Sequence, residues 1–266
     1  MAVKLIVTDL DGTLLNSEKQ VSERTLRAIE EARRRGVYVT IATGRMFTSA
    51  ENFGKRIGVN APLICCNGSV VQEMDSDKPI FLHTMDAGMV RRILSFCHER
   101  GWYVNWYIGK DILVEKYIPE YFHAYRTEPN LSYIETGDRF LDYTENVIQC
   151  VLRTGDGRVN EMLQELQAEL GENVIVAQSF GGFCADLVDP SIHKAVGLQK
   201  LMEHLHLTPD EVMACGDSTN DYTMLELAGI AVVPENGLQG AKDRASYITS
   251  SNDEDAVGRA IEKFVL

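Results

Sequence analysis

The strongest constraint on how this chain can fold is a rhythm of short β-prone runs alternating with helical stripes. The β-prone run Val3 to Thr8, apolar apart from Lys4 and the closing Thr8, reads as a strand covered on both faces. A helix follows, with Ser22 as N-cap, Leu26, Ile29 and Ala32 as its apolar stripe and Gly36 as its stop. Val37 to Ala42 and Pro62 to Cys66 are the next two buried strands. Strands separated by helices at this spacing imply βαβ crossovers and a parallel sheet.

The texture changes after about residue 83. Val90, Ile93, Leu94 and Cys97 mark a helix stopped by Gly101. Trp102 to Ile108 and Ile112 to Lys116 read as strands joined through Gly109-Lys110-Asp111, a hairpin signal. A strand at Asn146 to Arg153 follows, then a helix striped by Val159, Met162, Leu163, Leu166 and Leu170, and two strands around Gly181-Gly182. From Lys194 the first rhythm returns: a helix, strands at Glu211 to Cys215, Ile230 to Val233 and Tyr247 to Thr249, a helix at Tyr222 to Ala228, and a closing helix at Ala256 to Phe264. The simplest account is an α/β protein: a Rossmann-like parallel-sheet core, residues 1–82 and 190–266, split in sequence by an inserted α+β domain at 83–189.

Net charge narrows the partners. Against 39 Asp and Glu the chain has 26 Lys and Arg, a balance of −13, which speaks against a nucleic-acid partner and, at first sight, against an anionic substrate. No apolar run approaches the roughly 18 residues of a membrane span, and Asp9 interrupts any signal-peptide core, so a cytoplasmic location without membrane attachment is expected. Cysteines at 65, 66, 97, 150, 184 and 215 form no C-x-x-C pair and read as buried hydrophobes.

Four loops carry the chemistry. Asp9-Leu10-Asp11-Gly12-Thr13 closes the first strand, where open α/β sheets bind ligands. One carboxylate can attack phosphorus, a second can handle the leaving-group proton, and both can share a hard cation such as Mg²⁺; a solvated turn would use the same residue types. Thr43-Gly44-Arg45 offers a hydroxyl and backbone N–H groups to phosphate oxygens, although Thr also caps helices. Lys194 stands at a helix start, against the dipole, either solvated or neutralising an anion. Gly216-Asp217-Ser218-Thr219-Asn220-Asp221 follows a strand; its two acids suit either a Mg²⁺ site, with Asn220 as neutral ligand or phosphate contact, or helix capping.

These motifs, in this order, resemble the haloacid dehalogenase-like superfamily, and most of all its Cof-type branch of sugar-phosphatase-like hydrolases with a large α/β cap. Cys66-Asn67-Gly68 and the closing Asn252 to Val257 share in the likeness. The resemblance implies Asp9 as nucleophile, Asp11 as general acid/base and Lys194 as charge stabiliser. It also implies a phosphate site of Leu10, Gly12, Thr43, Gly44, Lys194 and Asn220, and Mg²⁺ on Asp9, Asp217 and the Asp11 carbonyl, supported by Asp221 and Asn220. One departure is the loop Val232 to Gly237, which is longer than the branch's Met-Gly-Asn-Ala-like loop and contains Pro234. The expected activity is Mg²⁺-dependent hydrolysis of small phosphate monoesters through an aspartyl-phosphate. A phosphomutase shares this chemistry; a phospho-Asp signalling module fits poorly with an Asp pair that opens the chain. Trp102, Tyr103, Trp106 and Tyr107 read as core of the inserted domain, with a stacking platform as the alternative.

Overall fold

The structure, a computed structural model, describes residues 2–125, 131–171, 175–180 and 182–266. Two compact units divide the chain: Met1–Phe81 with His193–Leu266, and Leu82–Ile192.

The split unit opens with β1 (Leu5–Thr8), α1 (Glu23–Arg34), β2 (Tyr38–Ile41), α2 (Phe47–Ile57), β3 (Leu63–Cys65), β4 (Val70–Gln72) and, at the departure point, β5 (Phe81–Leu82). The Ser22 hydroxyl caps α1 by accepting from the Thr25 N–H, and the helix buries Ala28, Ile29 and Ala32. Gly36 then turns the chain with φ +80°.

The inserted unit runs α3 (Ala87–Glu99), β6 (Tyr103–Ile108), β7 (Asp111–Val114), β8 (Ser132–Glu135), β9 (Val147–Arg153), α4 (Val159–Leu170), β10 (Ile175–Phe180) and β11 (Cys184–Val188). Its sheet has the order β10-β11-β9-β6-β7-β8, antiparallel except for the β7–β8 pair. Val90, Ile93, Leu94 and Cys97 of α3 and Leu163 and Leu166 of α4 pack with Trp106, Leu152 and Leu187 into one core. The turn expected at Gly181-Gly182 lies partly outside the described residues, which omit Gly181. Strand β8 had no signal because none of its four residues is buried, so no apolar alternation marks it. The aromatic group packs: Trp106 is buried with its Nε1–H donated to the Tyr143 carbonyl, Tyr103 stacks on Tyr121 and Trp102 meets Phe96 edge-on.

The chain then adds α5 (Lys194–Leu205), β12 (Val212–Cys215), α6 (Tyr222–Leu227), β13 (Ile230–Val233), α7 (Gln239–Lys242), β14 (Tyr247–Ile248) and α8 (Ala256–Phe264) to the split unit. Its main sheet has the order β14-β13-β12-β1-β2, and every pair is parallel. Strand β1 is thus flanked on both sides, and all four of its residues are buried. One expectation needs correcting. The Pro62 to Cys66 run is not a full parallel strand of this sheet: β3 pairs antiparallel with β4 in a three-stranded sheet and touches the main one through a single parallel bridge, Ala42–Ile64. A hairpin partner only a few residues downstream captures its hydrogen bonds first.

None of the six cysteines forms a disulfide, and burial pushes the Cys97 and Cys215 thiols up to about 12, which leaves no reactive thiolate there. No helix among the described residues is long and apolar enough to cross a membrane.

Candidate active site

Strand order brings the motifs together. From β1 the chain proceeds to β2 on one side, and after the insertion it returns at β12 on the other. The carboxyl ends of β1 and β12 therefore flank a switch point, where open α/β sheets form a crevice. Thr8 pairs with Cys215 and the Asp9 N–H donates to the Cys215 carbonyl at 2.9 Å, so Asp9 and the Gly216-Asp217 loop emerge side by side. On the other flank the Ala42 N–H donates to the Thr8 carbonyl, which delivers Thr43.

Lys194 is the first residue of α5, and its side chain is 0% exposed. Its Nζ donates to Asp9 Oδ1 and to Asp221 Oδ1, both at 2.6 Å. The solvated alternative for this lysine is overturned: a position that opposes the helix dipole is compensated by two carboxylates. Burial alone would lower its pKa, but Asp221 and Asp9 outweigh that and push it up. Asp221 is equally buried, and its Oδ2 accepts from the backbone N–H groups of Asp217 at 2.9 Å and Ser218 at 3.0 Å. The two acids of this loop do not share a helix face. Helix α6 starts only at Tyr222, and Asp221 reaches back to cap the turn before it.

Asp9, Asp217 and Asp221 each offer one carboxylate oxygen, and these oxygens all lie within 4.8 Å of one another. Burial raises Asp9 well above the ordinary carboxylate range, and Asp221 and Asp217 add to the rise against the opposing pull of Lys194. Asp217 is raised from 3.8 to about 6, by burial and then by Asp221. Its Oδ1 accepts from the Thr13 hydroxyl at 2.6 Å. Gly12 lies against the other oxygen with φ +86°; a Cβ there would sit 2.7 Å from Asp217 Oδ2. Three hard oxygen donors facing one ammonium leave a shortage of positive charge, and that donor set fits a divalent cation such as Mg²⁺.

Asp11 points elsewhere. Its carboxylate accepts from Arg45 through Nε at 2.8 Å and Nη2 at 3.1 Å, and from Lys19 Nζ at 2.8 Å. Burial would raise its pKa, but these cations outweigh burial and hold it at about 2. The Arg45 guanidinium is braced over the Phe53 ring, 4.9 Å from its centroid. Thr43 is buried, its hydroxyl accepts from the Arg45 N–H at 3.2 Å, and Gly44 lies between them, half-buried. The Leu10 side chain is wholly buried, so only its backbone faces the loop.

Asn220 is anchored by two neighbours: its Nδ2 donates to Asn67 Oδ1 at 3.0 Å and its Oδ1 accepts from the Ser218 hydroxyl at 2.9 Å. The unusual 232–237 loop does reach the first motif. Asn236 donates to the Gly12 carbonyl at 2.8 Å and the Leu238 N–H donates to the Asp217 carbonyl at 2.8 Å. Sequence reading assigned no role to Arg45, Lys19, Thr13 or Ser218. For Arg45 a signal existed, since it directly follows the Thr43-Gly44 pair; for Lys19, ten residues from Asp9, none did.

Comparison with known proteins decides the family: the pattern of haloacid dehalogenase-like hydrolases matches residues 6–261. The chain is a haloacid dehalogenase-like hydrolase. Two curated relatives of this hydrolase come from Bacillus subtilis (strain 168), both named 5-amino-6-(5-phospho-D-ribitylamino)uracil phosphatase. YcsE is 32% identical over 99% of this chain and 96% of its own, and YitU is 28% identical over 98% and 97%. Among solved structures, a haloacid dehalogenase-like hydrolase from Bacteroides thetaiotaomicron superposes with a TM-score of 0.87 at 28% identity, over 98% of this chain and 99% of that one.

Proposed function

We propose that this hydrolase cleaves small phosphate monoesters, sugar phosphates or similar phosphorylated metabolites, through an aspartyl-phosphate on Asp9. The observation that carries the reading is the acidic trio at the switch point: buried Asp9 held through Oδ1 by Lys194, with half-buried Asp217 and buried Asp221 completing an oxygen-donor cluster. Asp9 Oδ2 has no hydrogen-bond partner among the described residues, which suits a nucleophile fixed by one oxygen and reactive through the other. Asp9, Asp217 and Asp221, with the Asp11 carbonyl, are the residues assigned to Mg²⁺. Bound there, the ion neutralises charge on the phosphoryl oxygens and polarises the phosphorus.

In the first step an Asp9 oxygen bonds to phosphorus while the ester P–O bond breaks, and Asp11 gives its proton to the departing alkoxide. In the second, Asp11 takes a proton from water as that water displaces phosphate from Asp9. Asp11 must therefore leave the grip of Arg45 and Lys19 to carry a proton. Lys194 stabilises negative charge throughout, and Thr43, the Gly44, Leu10 and Gly12 backbone and Asn220 are assigned to the phosphoryl oxygens. Since every one of these groups lies in the split unit, choice among esters is assigned to the inserted unit, 83–189. The ribitylamino-uracil phosphate named for the two relatives belongs in the substrate panel beside hexose and pentose phosphates.

The test is phosphate release over such a panel with and without Mg²⁺, with Asp9→Asn as control. Mg²⁺-dependent release that Asp9→Asn abolishes is expected; equal rates from the variant defeat the assignment. Dependence on a bisphosphate activator, with no free phosphate released, would instead mark a mutase.

A further inference from the structure

Between β3 and β4, three successive residues have left-handed backbone: Cys66, Asn67 and Gly68, with φ of 48°, 55° and 104°. Such a conformation costs of order 1–3 kcal/mol at each non-glycine residue and persists only where surrounding structure enforces it. Here the enforcement comes from the active-site loops. The Cys66 N–H donates to the Arg45 carbonyl at 2.9 Å and the Asn67 N–H to the Thr43 carbonyl at 3.0 Å. Gly68 backs onto the residue before Lys194 so closely that a Cβ would overlap the His193 carbonyl. The turn is thus wedged between the Thr43 loop and the start of the Lys194 helix.

The Asn67 side chain adds a third connection. Its Oδ1 accepts from Asn220 Nδ2 at 3.0 Å; Asn220 Oδ1 accepts from Ser218 Oγ at 2.9 Å; the Ser218 N–H donates to Asp221 Oδ2 at 3.0 Å; and Asp221 Oδ1 shares Lys194 Nζ with Asp9. A primary amide has two N–H donors and one acceptor oxygen, and its orientation is undetermined until partners choose it. Ser218 claims the oxygen of Asn220 and Asn67 claims one N–H. The second N–H has no acceptor among the described residues and stays available for an anionic oxygen.

We propose that Asn67 is a positioning residue for phosphoryl recognition: by holding one N–H of Asn220 it turns the other toward a phosphoryl oxygen. This rests on the phosphatase reading above, with Asn220 as a phosphate contact. Asn67 does not touch substrate and acts through Asn220. A purely structural account exists, because Asn tolerates left-handed backbone better than most residues. Glycine separates the two, since Asn67→Gly keeps that backbone at least as well and removes only the amide.

The experiment is a double-mutant cycle on the whole chain with Mg²⁺, comparing wild type, Asn67→Gly, Asn220→Ala and the double variant. It reads kcat and KM for the best ester of the panel and competitive inhibition by inorganic phosphate. Loss of one neutral hydrogen bond predicts a fall of about three- to tenfold in kcat/KM for Asn67→Gly. The fall should come through raised KM, with phosphate inhibition weakened in parallel. The double variant should fall no further than Asn220→Ala alone. Wild-type kcat/KM in Asn67→Gly, or losses that simply add, overturns the proposal. Should Asn67→Gly melt lower than wild type, the cycle is run at a temperature where circular dichroism shows all four proteins folded. A wild type that hydrolyses no ester defeats the phosphatase reading and this proposal with it; active wild type with an additive cycle defeats only the role of Asn67.

Discussion

Magnesium titrated into the protein at about pH 8 and again at about pH 5 interrogates the carboxylate cluster directly. Asp9, Asp217 and Asp221 contribute three negative charges where Lys194 supplies one positive, so the cluster lacks two positive charges. Asp217 titrates at about 6 and Asp9 also lies above its ordinary range. With these carboxyls raised, the cation-free folded state binds protons more tightly than the unfolded chain does. Their contribution to stability is therefore present at acid pH and is lost as pH rises through about 6. For Asp217 the displacement from 3.8 to about 6 corresponds to roughly 3 kcal/mol at most, less whatever solvent screening removes. A bound divalent cation reverses the trend, because it requires the same groups ionised. Below pH 6 each proton that it must displace costs about tenfold in apparent affinity per pH unit, or ~1.4 kcal/mol. Thermal denaturation with excess Mg²⁺ and with chelator should show a large upward shift of the midpoint at about pH 8 and a small one at about pH 5. Asp217→Asn should lose most of the shift. Equal shifts at the two pH values, or a wild-type response from Asp217→Asn, refute the assignment of these three residues.

Other outcomes follow from the same geometry. Asp9→Asn should release no phosphate yet melt no lower than wild type at neutral pH, because the amide still accepts from Lys194 and sheds a charge that burial disfavours. Lys194→Met should cost about 3–5 kcal/mol in urea denaturation at neutral pH, since it leaves Asp9 and Asp221 buried without their shared cation, and less at acid pH, where the raised Asp9 carboxyl takes up its proton. An equal cost at both pH values contradicts the pairing. Arg45→Ala bears on Asp11, whose lowered pKa contributes stability above the ordinary 3.8 that is lost as pH falls through about 2. The variant should be destabilised by about 1 kcal/mol at neutral pH and show a flatter acid limb, and an unchanged limb in acid denaturation argues against the clamp. Gly12→Ala should lower activity and weaken the Mg²⁺-induced thermal shift, because a methyl group at φ +86° presses on Asp217 Oδ2; unaltered Mg²⁺ stabilisation counts against that close approach.

Much of the fold is legible in the sequence. The helix stripe Leu26, Ile29, Ala32 and the Ser22 cap were readable because period and capping are local. The β6–β7 hairpin announced itself through Gly109 for the same reason. Strand β8, with no buried residue, was silent, and β3 was misplaced because its parallel look did not say that β4 would pair with it first.

The sequence alone determined which residues could do chemistry: acids, a hydroxyl, a lysine and an amide, each set at the end of a β-prone run. It could not determine which of them meet, because that depends on strand order. A chain that returns at β12 beside β1, after more than a hundred intervening residues, puts Asp9 and Asp217 in adjacent loops. Burial, likewise a tertiary property, turned Lys194 from a surface candidate into the shared partner of Asp9 and Asp221 and raised Asp217 to about 6. It also reconciles the net charge of −13 with an anionic substrate. Local fields are set by what a few Ångströms of low-dielectric packing hold together, and a sum over the whole chain does not record that.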